Sequence, residues 1–199
     1  MNTAFKNVLC LFGITLVAGV GLGYVHDVTK EPIAIMEENS KLAAFRSVFP
    51  EADEFEEMDA AAIPFANDNS GQNGCDIDSA SLAKDSSGNP IGYVINVTSH
   101  EGYGGDITVS MGIDSEGTVK GIELLKISET AGLGMKAKEA GFRNQFAGKN
   151  VAQFSYTKTG AASDFEIDAI SGATITTKAV TNAVNAGLDY FARLGGGNR

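Results

Sequence analysis

The chain opens on an apolar run, residues 8–25 (VLCLFGITLVAGVGLGYV), that contains no charged side chain. At about 1.5 Å per residue such a helix spans roughly 27 Å, close to the hydrocarbon thickness of a bilayer. Tyr24 stands at its far boundary, where aromatic side chains anchor. Lys6 flanks the near side, and His26, Asp27, Lys30 and Glu31 flank the other. The pattern predicts a single membrane anchor within residues 1–30, spanning about 8–25. A cleaved signal sequence is the competing reading; the apolar run is long for one, and no Ala-x-Ala site follows it. Lys6 biases the amino terminus toward the cytoplasm and the rest of the chain outward, although Lys30 offsets it in part. Gly13, Gly19, Gly21 and Gly23 would let another membrane helix pack closely, as small residues do in bilayers.

Past the anchor the periodicity changes. Pro32 suits the first position of a helix, and Ile33, Met36, Leu42, Phe45, Val48 and Phe49 predict an amphipathic helix ending before Pro50. Residues 31–75 thus read as a helical lead-in followed by a loop, with a polar stretch at 67–73. Strand patterns follow at 91–99 (IGYVINVTS), 107–113 (ITVSMGI) and 118–127 (TVKGIELLKI), the last two joined by a hairpin at Asp114-Ser115-Glu116-Gly117. Phe142 and Phe146 suggest a short helix over 136–146. From 175 to 194, Val180, Ala183, Val184, Gly187, Leu188, Phe191 and Leu194 fall on one helical stripe. This order predicts an α+β domain over 76–199, with a mainly antiparallel sheet and flanking helices.

Composition narrows the function. The net charge is −10, from 25 acidic against 15 basic residues. No Lys/Arg run stands out, which argues against a nucleic-acid partner. The acids Glu51, Asp53, Glu54, Glu56, Glu57 and Asp59 read as a solvated loop or helix end. Two cysteines, Cys10 in the apolar run and Cys75 in a polar loop, form no disulfide framework. With only two histidines besides, an iron–sulfur or zinc site built by this chain alone is not expected. Redox chemistry here would come from an organic cofactor.

The heptad Asp168-Ala169-Ile170-Ser171-Gly172-Ala173-Thr174 is the chain's most specific feature. Its pattern should arise by chance in about one chain of this length in a thousand. Gly172 can take a positive φ or admit a bulky group. Thr174, Thr176 and Thr177 lie near the start of the last helix, where hydroxyls suit capping and first-turn N–H groups favour an anion. On local physics alone the segment reads as a turn and an N-cap. Two glycine clusters bracket the strands, Gly102-Tyr103-Gly104-Gly105 and Glu129-Thr130-Ala131-Gly132-Leu133-Gly134. Neither matches a Rossmann fingerprint or a phosphate-binding P-loop.

The heptad resembles the flavinylation motif of FMN-binding domains in Rnf and Na⁺-pumping NADH:quinone oxidoreductase complexes. The resemblance runs from about residue 91 to 194, and the anchor with Lys30-Glu31-Pro32 fits the Rnf G-type subunits. It implies FMN attached through a phosphoester to Thr174 by a dedicated flavin transferase. Asp168, Ser171, Gly172 and Ala173 would then serve transferase recognition and phosphate seating. It also brings both glycine clusters to the flavin: backbone N–H groups of Gly132, Leu133 and Gly134 facing ring or phosphate, Glu129 and Thr130 as polar contacts, and Tyr103 or Leu133 over a ring face. The chain departs from the family at Ala131, often Pro, and at Ile127, often His.

The function so implied is an extracytoplasmic, membrane-anchored electron relay. It would serve an Rnf-type ferredoxin:NAD⁺ oxidoreductase coupled to Na⁺ or H⁺ translocation, with the other subunits and the bilayer as partners. The chain would not be an independent enzyme. The alternatives are the C-type subunit of a Na⁺-translocating NADH:quinone oxidoreductase, which is usually longer, and a membrane-anchored structural subunit whose flavin site is unused. A free-standing flavin reductase is weakened by the scarcity of titratable catalytic groups.

Overall fold

The computed structural model describes residues 3–58 and 74–195. Helix α1 runs unbroken over Thr3–Val48 with Pro32 inside it. Pro32 therefore does not begin a second helix. Its missing N–H costs the helix one backbone hydrogen bond, and the turns on both sides keep their own. Phe5 to Val48 holds a stretch long and apolar enough to cross a membrane. The large apolar side chains from Phe5 to Met36 are exposed.

The chain divides into two compact units, Met1–Lys41 and Leu42–Arg199. The second begins well before residue 76 because the end of α1 belongs to its core: Phe45, Val48 and Phe49 are buried together with Ala83 and Val94. The first unit is the remainder of α1.

Five strands form an antiparallel sheet in sequential order: β1 (Glu54–Met58), β2 (Cys75–Lys84), β3 (Pro90–Ser99), β4 (Ile107–Asp114) and β5 (Val119–Lys126). The last three match the strands read from β-branched and aromatic runs and the hairpin between them. The first two correct the sequence reading. Glu54, Glu56 and Glu57 lie on an edge strand rather than a solvated loop; its charges suit an unpaired edge. Cys75 opens β2 opposite Ser99 rather than sitting in a loop. The sequence of β2 (CDIDSASLAK) has little strand propensity, and its pairing on both sides overrides that. Asp59 and the polar stretch at 67–73 lie outside the described residues.

Both faces of the central strands are covered. On one, Ile95, Val97, Val109, Met111 and Ile113 join α3 (Thr174–Arg193) in the main core through Val180, Ala183, Val184, Leu188 and Phe191. A Cβ at Gly187 would come within 2.7 Å of Met111 Cε, so helix and sheet approach as closely as glycine allows. On the other face, a Cβ at Gly92 would sit 2.7 Å from the Phe49 ring.

The β4–β5 hairpin forms as expected. Asp114 Oδ1 accepts the N–H groups of Glu116 and Thr118 at 3.0 and 2.8 Å, and Gly117 takes φ +90°. The helix expected over 136–146 is instead a 3-10 turn (Gly134–Lys138) and a single helical turn, α2 (Ala140–Arg143), broken at an extended Glu139. Gly134 and Gly141 weaken a continuous helix there. Phe142 and Phe146 are still buried, edge to face at 5.7 Å. A small parallel pair, β6 (Ser155–Thr157) and β7 (Glu166–Asp168), leads into the heptad.

Candidate functional site

The heptad leaves β7 at Asp168 and turns at Gly172, whose φ of +76° is the left-handed conformation that glycine takes without strain. Thr174 is the first residue of α3. Capping departs from the sequence reading: the cap position is Ala173, and no side chain caps the helix. Thr177 instead uses its hydroxyl to accept the Ile170 N–H and donate to the Ala173 carbonyl, both at 3.0 Å. Thr176 is buried under Gly134, where a Cβ would lie 2.7 Å from its Oγ1. The first-turn N–H groups of α3 therefore meet no capping side chain, which suits an anion.

Above this helix end lies a cleft of about 640 Å³ lined by Tyr103, Glu129, Thr130, Leu133, Gly134, Gly172, Ala173, Thr174, Ile175 and Thr176. Three segments distant in sequence meet there. A Cβ at Gly104 would run into the Ser128 carbonyl, which presses the Tyr103 loop against the Glu129 segment. A Cβ at Gly172 would stand 3.0 Å from Leu133 Cδ2, which presses that segment against the heptad turn. Glu129 Oε1 accepts the Tyr103 N–H at 2.8 Å.

Most of the site residues named from sequence line this cleft, and three do not. The Asp168 carboxylate accepts the Ala161 N–H at 2.6 Å, and its own N–H donates to Gln145 Oε1 at 2.6 Å. Ser171 is exposed ahead of the turn, and Gly132 forms a neighbouring turn at φ +77°. The Leu133 N–H donates to the Thr130 carbonyl at 3.1 Å, so it holds the turn together and does not face a ligand. Ile175 and Thr176 were not singled out as site residues. The signal in the sequence is that the apolar Ile175, next to the heptad, falls off the buried stripe of α3.

The residues present fit a flavin mononucleotide. The volume lies within the range of about 300–1,000 Å³ typical of small-molecule sites. Tyr103 (72% exposed), Ile175 (51%) and Leu133 (43%) offer apolar surface for a planar ring. The uncapped helix end and the half-buried Thr174 offer a seat for a phosphate.

Residues 102–189 match the FMN-binding domain family, a span that contains every residue lining the cleft. The fold is thus that of an FMN-binding domain. The chain is 33% identical over 196 residues to the G subunit of the Na⁺-translocating ferredoxin:NAD⁺ oxidoreductase complex of Acetobacterium woodii, across 97% of this chain and 94% of that protein. It is 31% identical over 188 residues to the G subunit of the ion-translocating oxidoreductase complex of Methanosarcina acetivorans, across 94% of each. The chain belongs to this family of G-type subunits. Among solved structures, the C subunit of the Na⁺-translocating NADH-quinone reductase of Parabacteroides distasonis is 25% identical and covers 58% of this chain and 61% of that one, with a TM-score of 0.48.

Proposed function

We propose that this chain is a membrane-anchored flavoprotein subunit carrying FMN as a phosphoester on Thr174. It relays electrons inside an Rnf-type complex that couples ferredoxin:NAD⁺ oxidoreduction to Na⁺ or H⁺ translocation. The observation that carries the reading is the place of Thr174: a half-buried hydroxyl on the first residue of an uncapped helix, facing a cleft with apolar walls. The similarity to G-type subunits across nearly their whole length favours this assignment over the C-type subunit of a NADH:quinone oxidoreductase.

Within that reading the residues divide the work. The α3 amino terminus and its dipole favour the phosphate. Tyr103, Leu133 and Ile175 enclose the ring, and Glu129 and Thr130 supply polar contacts. Gly172 and Ala173 keep the approach to Thr174 clear. Asp168 and Ser171 present the motif to a flavin transferase. The bound flavin supplies the redox couple, and the chain supplies the tether and the electrostatics around it. The anchor places the amino terminus in the cytoplasm and the FMN domain outside, where a covalent bond keeps the cofactor from being lost.

Production of the full chain with a flavin transferase tests this. A denaturing gel should show a fluorescent band that Thr174→Ala abolishes, with the variant's thermal unfolding close to wild type. A band that stays fluorescent in the variant would move the attachment elsewhere. A dark wild-type band beside an active transferase would favour a structural subunit.

A further inference from the structure

Thr174, Lys178 and Asn182 follow one another at four-residue spacing on the outer stripe of α3, so each lies one turn from the next. Lys178 and Asn182 converge on one group, the carboxylate of Glu101. Lys178 Nζ donates to Oε1 at 2.9 Å and Asn182 Nδ2 donates to Oε2 at 2.6 Å. Glu101 belongs to the loop between β3 and β4, 77 residues from Lys178 in sequence. Two residues further along that loop is Tyr103, a wall of the cleft.

A connecting loop of this kind is ordinarily the most mobile part of a hairpin. Side chains fasten this one in three places, beside the backbone bond from the His100 N–H to the Gly74 carbonyl. His100 bridges Asp76 and Asp106, Glu101 holds α3, and the Tyr103 N–H donates to Glu129. Of these three, the Glu101 fastening reaches the helix that bears Thr174. Between Glu101 and Tyr103 the chain has no slack, because a Cβ at Gly102 would collide with the Gly105 carbonyl.

We infer that Glu101 is a positioning residue for the cofactor cleft, registering the Tyr103 wall against the α3 stripe that carries Thr174. The inference rests on Thr174 being the attachment site. Both hydrogen bonds to Glu101 are charge-assisted, the strong kind. Removing the carboxylate frees the loop from α3 and leaves the hydrophobic core, which Glu101 does not enter, in place.

The test compares wild type, Glu101→Ala and Glu101→Gln as full-length chains produced with the transferase. Two readouts are taken: amide hydrogen exchange over 100–106, and iodide quenching of flavin fluorescence. In Glu101→Ala, exchange over 100–106 should rise about tenfold or more, as the loss of a charge-assisted anchor implies, while β3, β4 and α3 stay protected. Iodide quenching should rise severalfold. Glu101→Gln keeps the length and one acceptor oxygen but loses the charge and the second acceptor, so it should lie between wild type and Glu101→Ala in both. Unchanged exchange in Glu101→Ala overturns the inference. So does faster exchange with quenching still at the wild-type value. If wild type carries no flavin on Thr174, the attachment reading falls, and the exchange comparison alone still decides whether Glu101 holds the loop.

Discussion

Thr177 sits one helical turn behind Ala173, and its hydroxyl serves the Ile170 N–H and the Ala173 carbonyl at once. Thr177→Val keeps the shape and leaves a buried N–H without a partner, at a cost of about 1–3 kcal/mol. Urea unfolding should register that loss, and flavin loading should fall with it, because the same bond sets the turn ahead of Thr174. Gly134→Ala should act differently. Its methyl would meet Glu129 Cβ and Thr176 Oγ1 at 2.7 Å, so the expected cost is about 1–3 kcal/mol of overpacking together with a narrowed cleft. Thermal unfolding of the variant checks it; an unshifted midpoint would mean that the two segments move apart freely. At this scale the turn at Gly172 and the helix start were legible as local chemistry, whereas the heptad's role came from its resemblance to a family motif. Glu101 was not legible, since both its partners lie about eighty residues away. Thr177 differs from what its position suggests: a hydroxyl near a helix start looks like a cap until the backbone shows which N–H it meets.

Elements whose own residues favour their conformation were readable from the sequence, and those held by neighbours were not. β3 and β4 carry the core and show it in β-branched and aromatic runs, and α3 shows it in its helical stripe. β1 and β2 are strands because the sheet pairs them, not because EFEEM or CDIDSASLAK asks to be extended. The corner where β2, β3 and β4 meet brings a pH dependence. His100 Nε2 lies 3.0 Å from Asp76 and Nδ1 lies 2.9 Å from Asp106, and these two carboxylates raise its pKa above the usual imidazole value. Asp78, held by Thr98, adds a further acid at the same corner. A raised folded-state pKa means that the stabilisation is full below about pH 6.5, the unfolded value, and is lost as pH rises through the higher folded value. The unfolding midpoint of wild type should therefore fall relative to His100→Asn as pH rises above about 6.5. The effect should be small because the ring is half exposed. Parallel curves across that range would contradict the pairing.

On the scale of the whole molecule, the end of the long helix is part of the folded domain. A chain beginning at Leu42 keeps Phe45, Val48 and Phe49 over Val94 and Ala83 and should fold without the anchor. A chain beginning at Glu51 loses that layer. Burial of a single core Phe is worth about 3–5 kcal/mol when truncated to Ala, so this shorter chain should unfold at a much lower temperature or not fold at all. Equal midpoints for the two chains would show the layer to be dispensable. The central claim is the chemical bond at Thr174, and peptide mass mapping of the full-length protein tests it most directly. After tryptic digestion, an increment the size of FMN less one water should appear on the 159–178 peptide, fragmentation should assign it to Thr174, and it should vanish in Thr174→Ala. An increment assigned to any other residue, or none in protein made beside an active transferase, would contradict the account.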